Sequence, residues 1–242
     1  DSIFFNANEK SPIRLYLNDY DTNGLDIQIL DSYDACQFTL KRVKNGENTI
    51  SVTGNVQVDH RYIERAGNVV IEGNQSNESL AALADWSKSG TQNNAHLWMQ
   101  LSHAGRQTPF SINKESRAPS VQPLPTLGGI LKFGVPKELS QSEILNIIDQ
   151  FVNAAEVAKQ TGFTGVQLHS AHGYLLSEFL SPNVNQRTDE GGGSIKNRSR
   201  LLITTIDAIR DKVGSNFPIS IKLPKGKKAS TSIVDFFRLF SI

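Results

Sequence analysis

Two histidines and a tyrosine crowd into one short string, Leu168-His169-Ser170-Ala171-His172-Gly173-Tyr174. Imidazole and phenol are the side chains that move protons near neutral pH. Two imidazoles leaving one strand end can both donate to a single anionic or carbonyl oxygen. A phenol one turn further on can give a proton to a carbon or oxygen centre. A lone histidine is more often a satisfied structural residue, but a pair with a phenol at one strand end reads as a site. The same pair could ligate a metal. Zinc sites usually need a third protein ligand. The candidates Asp189 and Glu190 sit beside a glycine run that reads as a turn, so no metal is expected.

These residues need elements to hold them. Thr49 to Val52 reads as a short strand running into Thr53-Gly54-Asn55. His96 to Leu101 reads as a buried strand, Gly165 to Leu168 as a short apolar one, and Phe217 to Leu223 as a fourth. Leu80, Leu83, Ala84 and Ser87 outline a helical face with Asn77 as a cap. Ser140 and Glu143 form a capping box, followed by Ile144, Ile147, Ile148, Phe151, Ala155 and Ala158 at helical spacing up to Gly162. A further helix follows Ser194, with Leu201, Leu202, Ile206 and Ile209 on its buried side. Residues 106 to 139, with Pro109, Pro119, Pro123, Pro125 and Pro136, read as a long functional loop. Within the first 48 residues only Ile27 to Leu30 and Phe38 to Leu40 suggest strands.

Alternating strands and helices mean βα units and a parallel sheet. The polar residues choose between the two folds that fit. Gly54, then Gln100 with His103, then His169 with His172, then Lys222 fall at successive strand ends. That is the layout of a barrel active site. No Gly-x-Gly-x-x-Gly follows a strand, which weighs against a dinucleotide-binding doubly wound sheet.

The bulk numbers bound the rest. The chain has 242 residues, 38% of them hydrophobic, and a formal net charge of +1. Nothing points to nucleic acid or a membrane surface. A single cysteine, Cys36, excludes an intrachain disulfide and fits a reducing, cytoplasmic setting.

The string HSAHGYLLSEFLSPNVNQRTDEGGGSIKNRSRLL resembles the signature of the Old Yellow Enzyme family of NAD(P)H:flavin oxidoreductases. The family form is His-x-x-His/Asn-Gly-Tyr-Leu-Leu, then Phe-Leu-Ser-Pro, Asn-x-Arg-x-Asp and Gly-Gly-Ser-x-x-Asn-Arg. WMQLSHAGRQ, Trp98 to Gln107, resembles the family's third-strand segment. TGNVQVDHRYIERAGNVVI, Thr53 to Ile71, resembles its second-strand loop. The resemblance implies an FMN-containing (β/α)8 TIM barrel in which NADH or NADPH reduces the flavin and an activated, enone-like alkene receives the hydride. It implies that His169 and His172 bind the substrate carbonyl oxygen and touch the flavin edge. Tyr174 would protonate the alkene α-carbon. Gln100 would hydrogen-bond the flavin pyrimidine, Gly54 would let the ring approach the backbone, and Lys222 would face its N1–C2 carbonyl region. Arg187, Asp189, Asn197 and Arg198 would tie the loop to the next helix, Ser194 would cap that helix, Arg106 would make a loop salt bridge, and Trp86 and Trp98 would pack. The implied partner is a small-molecule alkene; a homo-oligomer stays open.

The resemblance spans about five of the eight strands of such a barrel. Residues 1–48 lack the family's opening Asn-Arg strand and the segment that lies against the flavin. Residues 224–242, PKGKKASTSIVDFFRLFSI, do not continue the pattern, and Gly191 replaces an aromatic residue. The expected division is therefore a divergent segment 1–48, a partial barrel 49–223, and a divergent tail 224–242, with both ends poorly packed. The alternative expectation is an incomplete, inactive remnant that does not hold FMN.

Overall fold

A computed structural model describes residues 25–32, 35–42, 50–124 and 132–223. Strands β1 (Leu25–Ser32) and β2 (Ala35–Arg42) form an antiparallel hairpin, each longer at both ends than the segments Ile27 to Leu30 and Phe38 to Leu40 suggest. Most of the segment 1–48, and all of 224–242, on which the expectation of poor packing falls, lies outside the described residues. Strand β3 (Ile50–Gln57) carries a register break between Val52 and Asn55. Helix α1 (Asn77–Gly90) follows. Its cap is Ser76, whose Oγ accepts from Ser79 N, and Asn77 is its first residue. The reading of Asn77 as the cap is thus one residue late, because a serine precedes it and caps as well.

Strand β4 (His96–Ser102) comes next. The stretch read as one long loop then contains two short strands, β5 (Glu115–Ala118) and β6 (Val135–Glu138), which pair in parallel. Neither has an apolar alternation. They exist because each is the other's hydrogen-bonding partner, which no local window reveals. Helix α2 (Gln141–Gln160) starts with the expected capping box, Ser140 and Glu143 satisfying each other's backbone N–H. Strand β7 (Gly165–His169), the short helices α3 (Leu175–Leu180) and α4 (Ile195–Arg198), helix α5 (Arg200–Val213) and strand β8 (Ile219–Lys222) complete the described order. The helix expected after Ser194 is therefore two, broken at Ser199.

The sheet runs β3-β4-β7-β8 and is parallel throughout. Alternate residues of a strand face opposite sides, and parallel partners share a side. Met99, Leu101, Val166 and Leu168 are wholly buried, in one core with Phe151 of α2 and Ile209 of α5. Phe151 has 0% exposure, so truncation to alanine would cost about 3–5 kcal/mol. The other side carries Asn55, Gln100 and Gln167 in register, with His169 opposite Lys222. One face thus glues sheet to helices, and the other holds polar groups at the carboxyl ends of the strands. Among the described residues no helix is long and apolar enough to cross a membrane.

Candidate active site

β7 ends on His169, and the chain leaves the sheet into a turn where His172 has φ 58°. The left-handed region is uncommon for a residue with a Cβ and must be held by its surroundings. Gln107 Nε2 donates to the His172 carbonyl at 2.6 Å, and α3 begins directly after Tyr174. The turn sets three rings together. His169 lies 5.1 Å from His172 at 68° and 4.7 Å from Tyr174 at 85°, both edge to face. His169 is buried, Tyr174 partly buried and His172 exposed.

Ala171 N donates to His169 Nδ1 at 3.3 Å. That bond assigns the neutral tautomer with its proton on Nε2. Burial first, then Lys222 and His172, push the His169 pKa down to about 3. Desolvation and Lys222 lower His172 in the same direction. At ordinary pH His169 is therefore a neutral N–H donor.

A polar chain joins this turn to the other strand ends. Lys222 Nζ donates to Gln100 Oε1 at 3.3 Å, Gln100 Nε2 donates to Asn55 Oδ1, and Asn55 Nδ2 donates to Glu64 Oε2 at 2.7 Å. The Tyr174 hydroxyl donates to the same Glu64 oxygen. Burial lowers the Lys222 pKa against an opposing pull from Glu64. Burial, then the Glu64 charge and the hydrogen bond to it, raise the Tyr174 phenol. His169, His172, Tyr174, Gln100 and Lys222 thus share one end of the sheet.

Gly54 is placed differently from expectation. β3 continues to Gln57, so Gly54 lies within the strand at its register break, not after its end. Thr53 Oγ1 accepts from Gln100 N at 2.9 Å and donates to the Gly54 carbonyl at 2.7 Å. The bulge absorbs a residue and allows the strand to resume, which a Thr-Gly-Asn string mimics as an ending.

The loop residues act as struts. Arg187 binds Asp189 and donates to the Leu139 and Pro119 carbonyls. Asp189 and Glu190, the candidate metal ligands, pair with Arg187 and Arg200. Arg198 donates to the Leu180 carbonyl, and Asn197 N to the Ser194 cap. A Cβ on Gly192 would lie 1.9 Å from the Arg187 carbonyl oxygen, so that position needs glycine. The Arg106 guanidinium donates to the Gln122 carbonyl, not to a carboxylate, while its backbone N–H reaches Glu178 Oε1. Among the described residues the guanidinium thus meets a carbonyl where the sequence suggests a salt bridge. Trp86 packs edge-on against Phe163.

Asn55 and Glu64 belong to the polar chain yet carry no signal of their own in the sequence. Both fall inside the string Thr53 to Ile71, which is the only pointer to them. A second cluster forms where the chain leaves β3 and β4. His103 stacks on Tyr62 at 5.3 Å, and Arg61 and Arg117 lie over the same tyrosine ring at 5.3 and 5.5 Å. With Asp59 and the start of α2 they line a cavity of about 180 Å³.

The model of the NADH:flavin oxidoreductase / NADH oxidase family matches residues 44–234. A model of monomeric isocitrate dehydrogenase matches residues 5–62, too short a span to show membership. NADH-dependent flavin oxidoreductase nadA of Aspergillus parasiticus is 41% identical over 71% of this chain and 39% of its own length. 12-Oxophytodienoate reductase 1 of Oryza sativa is 39% identical over 50% of this chain and 33% of its own. The Old Yellow Enzyme homologue of Zymomonas mobilis superposes with a TM-score of 0.65 at 27% identity, covering 72% of this chain and 49% of that one. The chain spans less than half the length of each of these proteins. With a family match running through all four strands of the parallel sheet and the His-Tyr turn, the chain belongs to the NADH:flavin oxidoreductase / NADH oxidase family.

Proposed function

We propose that this chain carries the substrate-polarising part of an FMN-dependent ene-reductase that uses NADH or NADPH and acts on an enone-like alkene. Residues 49–223 would be one portion of a (β/α)8 barrel. The observation that carries the reading is the meeting of His169, His172 and Tyr174 with Gln100 and Lys222 at the carboxyl end of one parallel sheet. The names of the relatives agree with it: one is a flavin oxidoreductase and another reduces an oxo-dienoate.

The residues fit the flavin. Its pyrimidine edge offers an N–H and carbonyl oxygens, and Gln100 has both a donor and an acceptor. Lys222, beside it, brings a cation that opposes negative charge on a reduced ring. When bound, FMN supplies the hydride chemistry. The protein's part is positional and electrostatic. His169 Nε2–H, neutral and buried, and His172 at the exposed lip would donate to the substrate carbonyl oxygen as charge builds there. Tyr174 would release its phenolic proton to the α-carbon. Gly54, exposed at the β3 bulge, would let the ring approach the backbone.

Purified chain incubated with FMN should retain a flavin absorption band near about 450 nm and oxidise NADH or NADPH only when cyclohexenone is present. Tyr174→Phe should lower that rate by roughly 10²–10⁴-fold. Protein that stays colourless in excess FMN and consumes no reduced nicotinamide would overturn the reading.

A further inference from the structure

We infer that Glu64 is a positioning residue for Tyr174: its carboxylate, tied through Asn55 to Gln100, anchors the phenol and keeps the proton on its oxygen until substrate displaces that hydrogen bond. This rests on the proposed role of Tyr174 and adds the group that controls it. Glu64 sits in the loop after β3, and Tyr174 lies 110 residues away beyond β7. Three neutral donors converge on the one carboxylate: the Tyr174 hydroxyl and Asn55 Nδ2 on Oε2, and Asn68 Nδ2 on Oε1. A carboxylate that merely pinned a loop needs no phenol, since Asn55 and Asn68 already bridge it to β3 and to its own loop. The phenol is the one donor that comes from the chemical turn.

The consequence is electrostatic. Ionising Tyr174 would put a second negative charge against Glu64, so the carboxylate favours the protonated phenol. The groups around the phenol are Glu64 and Arg65 from the β3 loop, Asn55 from β3, His169 from β7 and His172 from the turn; Lys222 on β8 acts on Glu64 and on both imidazoles. The imidazoles, both lowered, favour their neutral forms; on the phenol itself the Asn55 hydrogen bond and then the Arg65 charge pull the other way, against burial and Glu64. In the proposed role the Tyr174 O–H bond would break as a C–H bond forms at the substrate α-carbon, with bound FMN supplying the hydride chemistry at the neighbouring carbon. The O–H electron pair stays on the phenolate, which recovers a proton from water. Glu64 raises the basicity of that phenolate and so makes its reprotonation complete.

The test uses the chain labelled with ¹³Cζ-tyrosine. It has five tyrosines, and Tyr174→Phe assigns one signal. The Tyr174 signal should titrate later than an ordinary phenol. In Glu64→Gln its midpoint should fall by at least about one pH unit, while Glu64→Asp, which keeps the charge, should restore part of the delay. The other four signals report whether each variant is folded. With FMN and cyclohexenone, the alkaline limb of kcat should move down in Glu64→Gln by the same amount with KM unchanged. An unmoved Tyr174 midpoint in folded Glu64→Gln sinks the inference. So does turnover whose alkaline limb stays put, which leaves the ene-reductase reading intact. A midpoint that moves in protein that reduces no enone upholds the Glu64–Tyr174 pairing and sinks the reading instead.

Discussion

His169 and His103 are both buried, and both lie at the carboxyl end of a strand in the same sheet. Their surroundings differ in kind. His103 stacks on Tyr62, accepts from Gly105 N at 3.0 Å, and lies within the field of Asp59, Arg61 and Arg117. Burial would raise the Asp59 carboxyl, but hydrogen bonds from Arg61 and Gln150 outweigh it and hold the pKa at about 2. Charge is matched there on the spot. Among the described residues no carboxylate makes direct contact with His169; the nearby charge is Lys222, and its Nδ1 is held by the Ala171 N–H. Burial therefore does not tell a strut from a site. What does is whether opposite charges close on each other or donors of one sign are left aimed at an open end.

The largest effect should come from breaking the closed cluster. Asp59→Ala removes the acceptor of Arg61 and of Gln150 Nε2 at 2.9 Å. It should cost about 3 kcal/mol of stability by urea denaturation, while the geometry at Tyr174 persists. A loss under about 1 kcal/mol would show that the cluster is not a structural lock. Next comes the open cluster. His169→Ala empties a buried position and so costs some stability as well, but in the folded variant it should weaken a phenolic ligand by about 1.5–3 kcal/mol, one to two orders of magnitude in Kd. Unchanged affinity by fluorescence titration would remove the oxyanion role.

This contrast also explains what the sequence could reveal. The four parallel strands were legible because each carries a compact apolar run, and α2 because Ser140, Glu143 and its 3.6-residue stripe act together. His169, His172 and Tyr174 were legible because one turn holds them. Glu64 was not, since its partner Tyr174 is brought by the fold and not by spacing. Strands β5 and β6 were hidden for the same reason: Glu115, Arg117 and Lys137 mark a charged loop until pairing makes it a ladder. α3 escaped notice because six residues are too few to show a period.

A third prediction uses pH. The His169 and His103 pKa values are pushed to about 3 and about 4 in the folded chain, by burial above all. The unfolded chain takes up protons from about pH 6.5 downward while the folded chain does not. Stability must therefore fall as pH falls below 6.5, by up to about 1.4 kcal/mol per pH unit for each histidine. Glu178 opposes this. Wholly buried, with only the Arg106 N–H and charge pulling the other way, its carboxyl is raised well above the usual range. The folded state then holds that proton more tightly, which stabilises it as pH falls. Glu178→Gln should thus steepen the acid loss in urea midpoints between pH 7.5 and 4.5. A parent chain equally stable across that window, with no steepening in the variant, would contradict the burial of all three groups.

The smallest effect separates two jobs of one residue at the edge of the closed cluster. Glu143 accepts from Ser140 N at 2.8 Å as half of the α2 capping box, and from Arg117 Nε at 2.9 Å as an ion pair. Glutamine can keep the capping bond, since the box accepts either residue, but it removes the charge. Glu143 is 37% exposed in that pair, and such pairs contribute under about 1 kcal/mol because water screens them. Ser140→Ala, by contrast, should lose about 1 kcal/mol, because the Glu143 N–H then has no side-chain acceptor. Glu143→Gln should therefore cost a few tenths of a kcal/mol, less than Ser140→Ala, and that small cost should vanish in about 1 M salt while the cost of Ser140→Ala stays. If instead Glu143→Gln proves the more costly of the two and stays so in salt, Arg117 depends on this carboxylate, and the cluster around Tyr62 is held by charge more than by the helix it abuts.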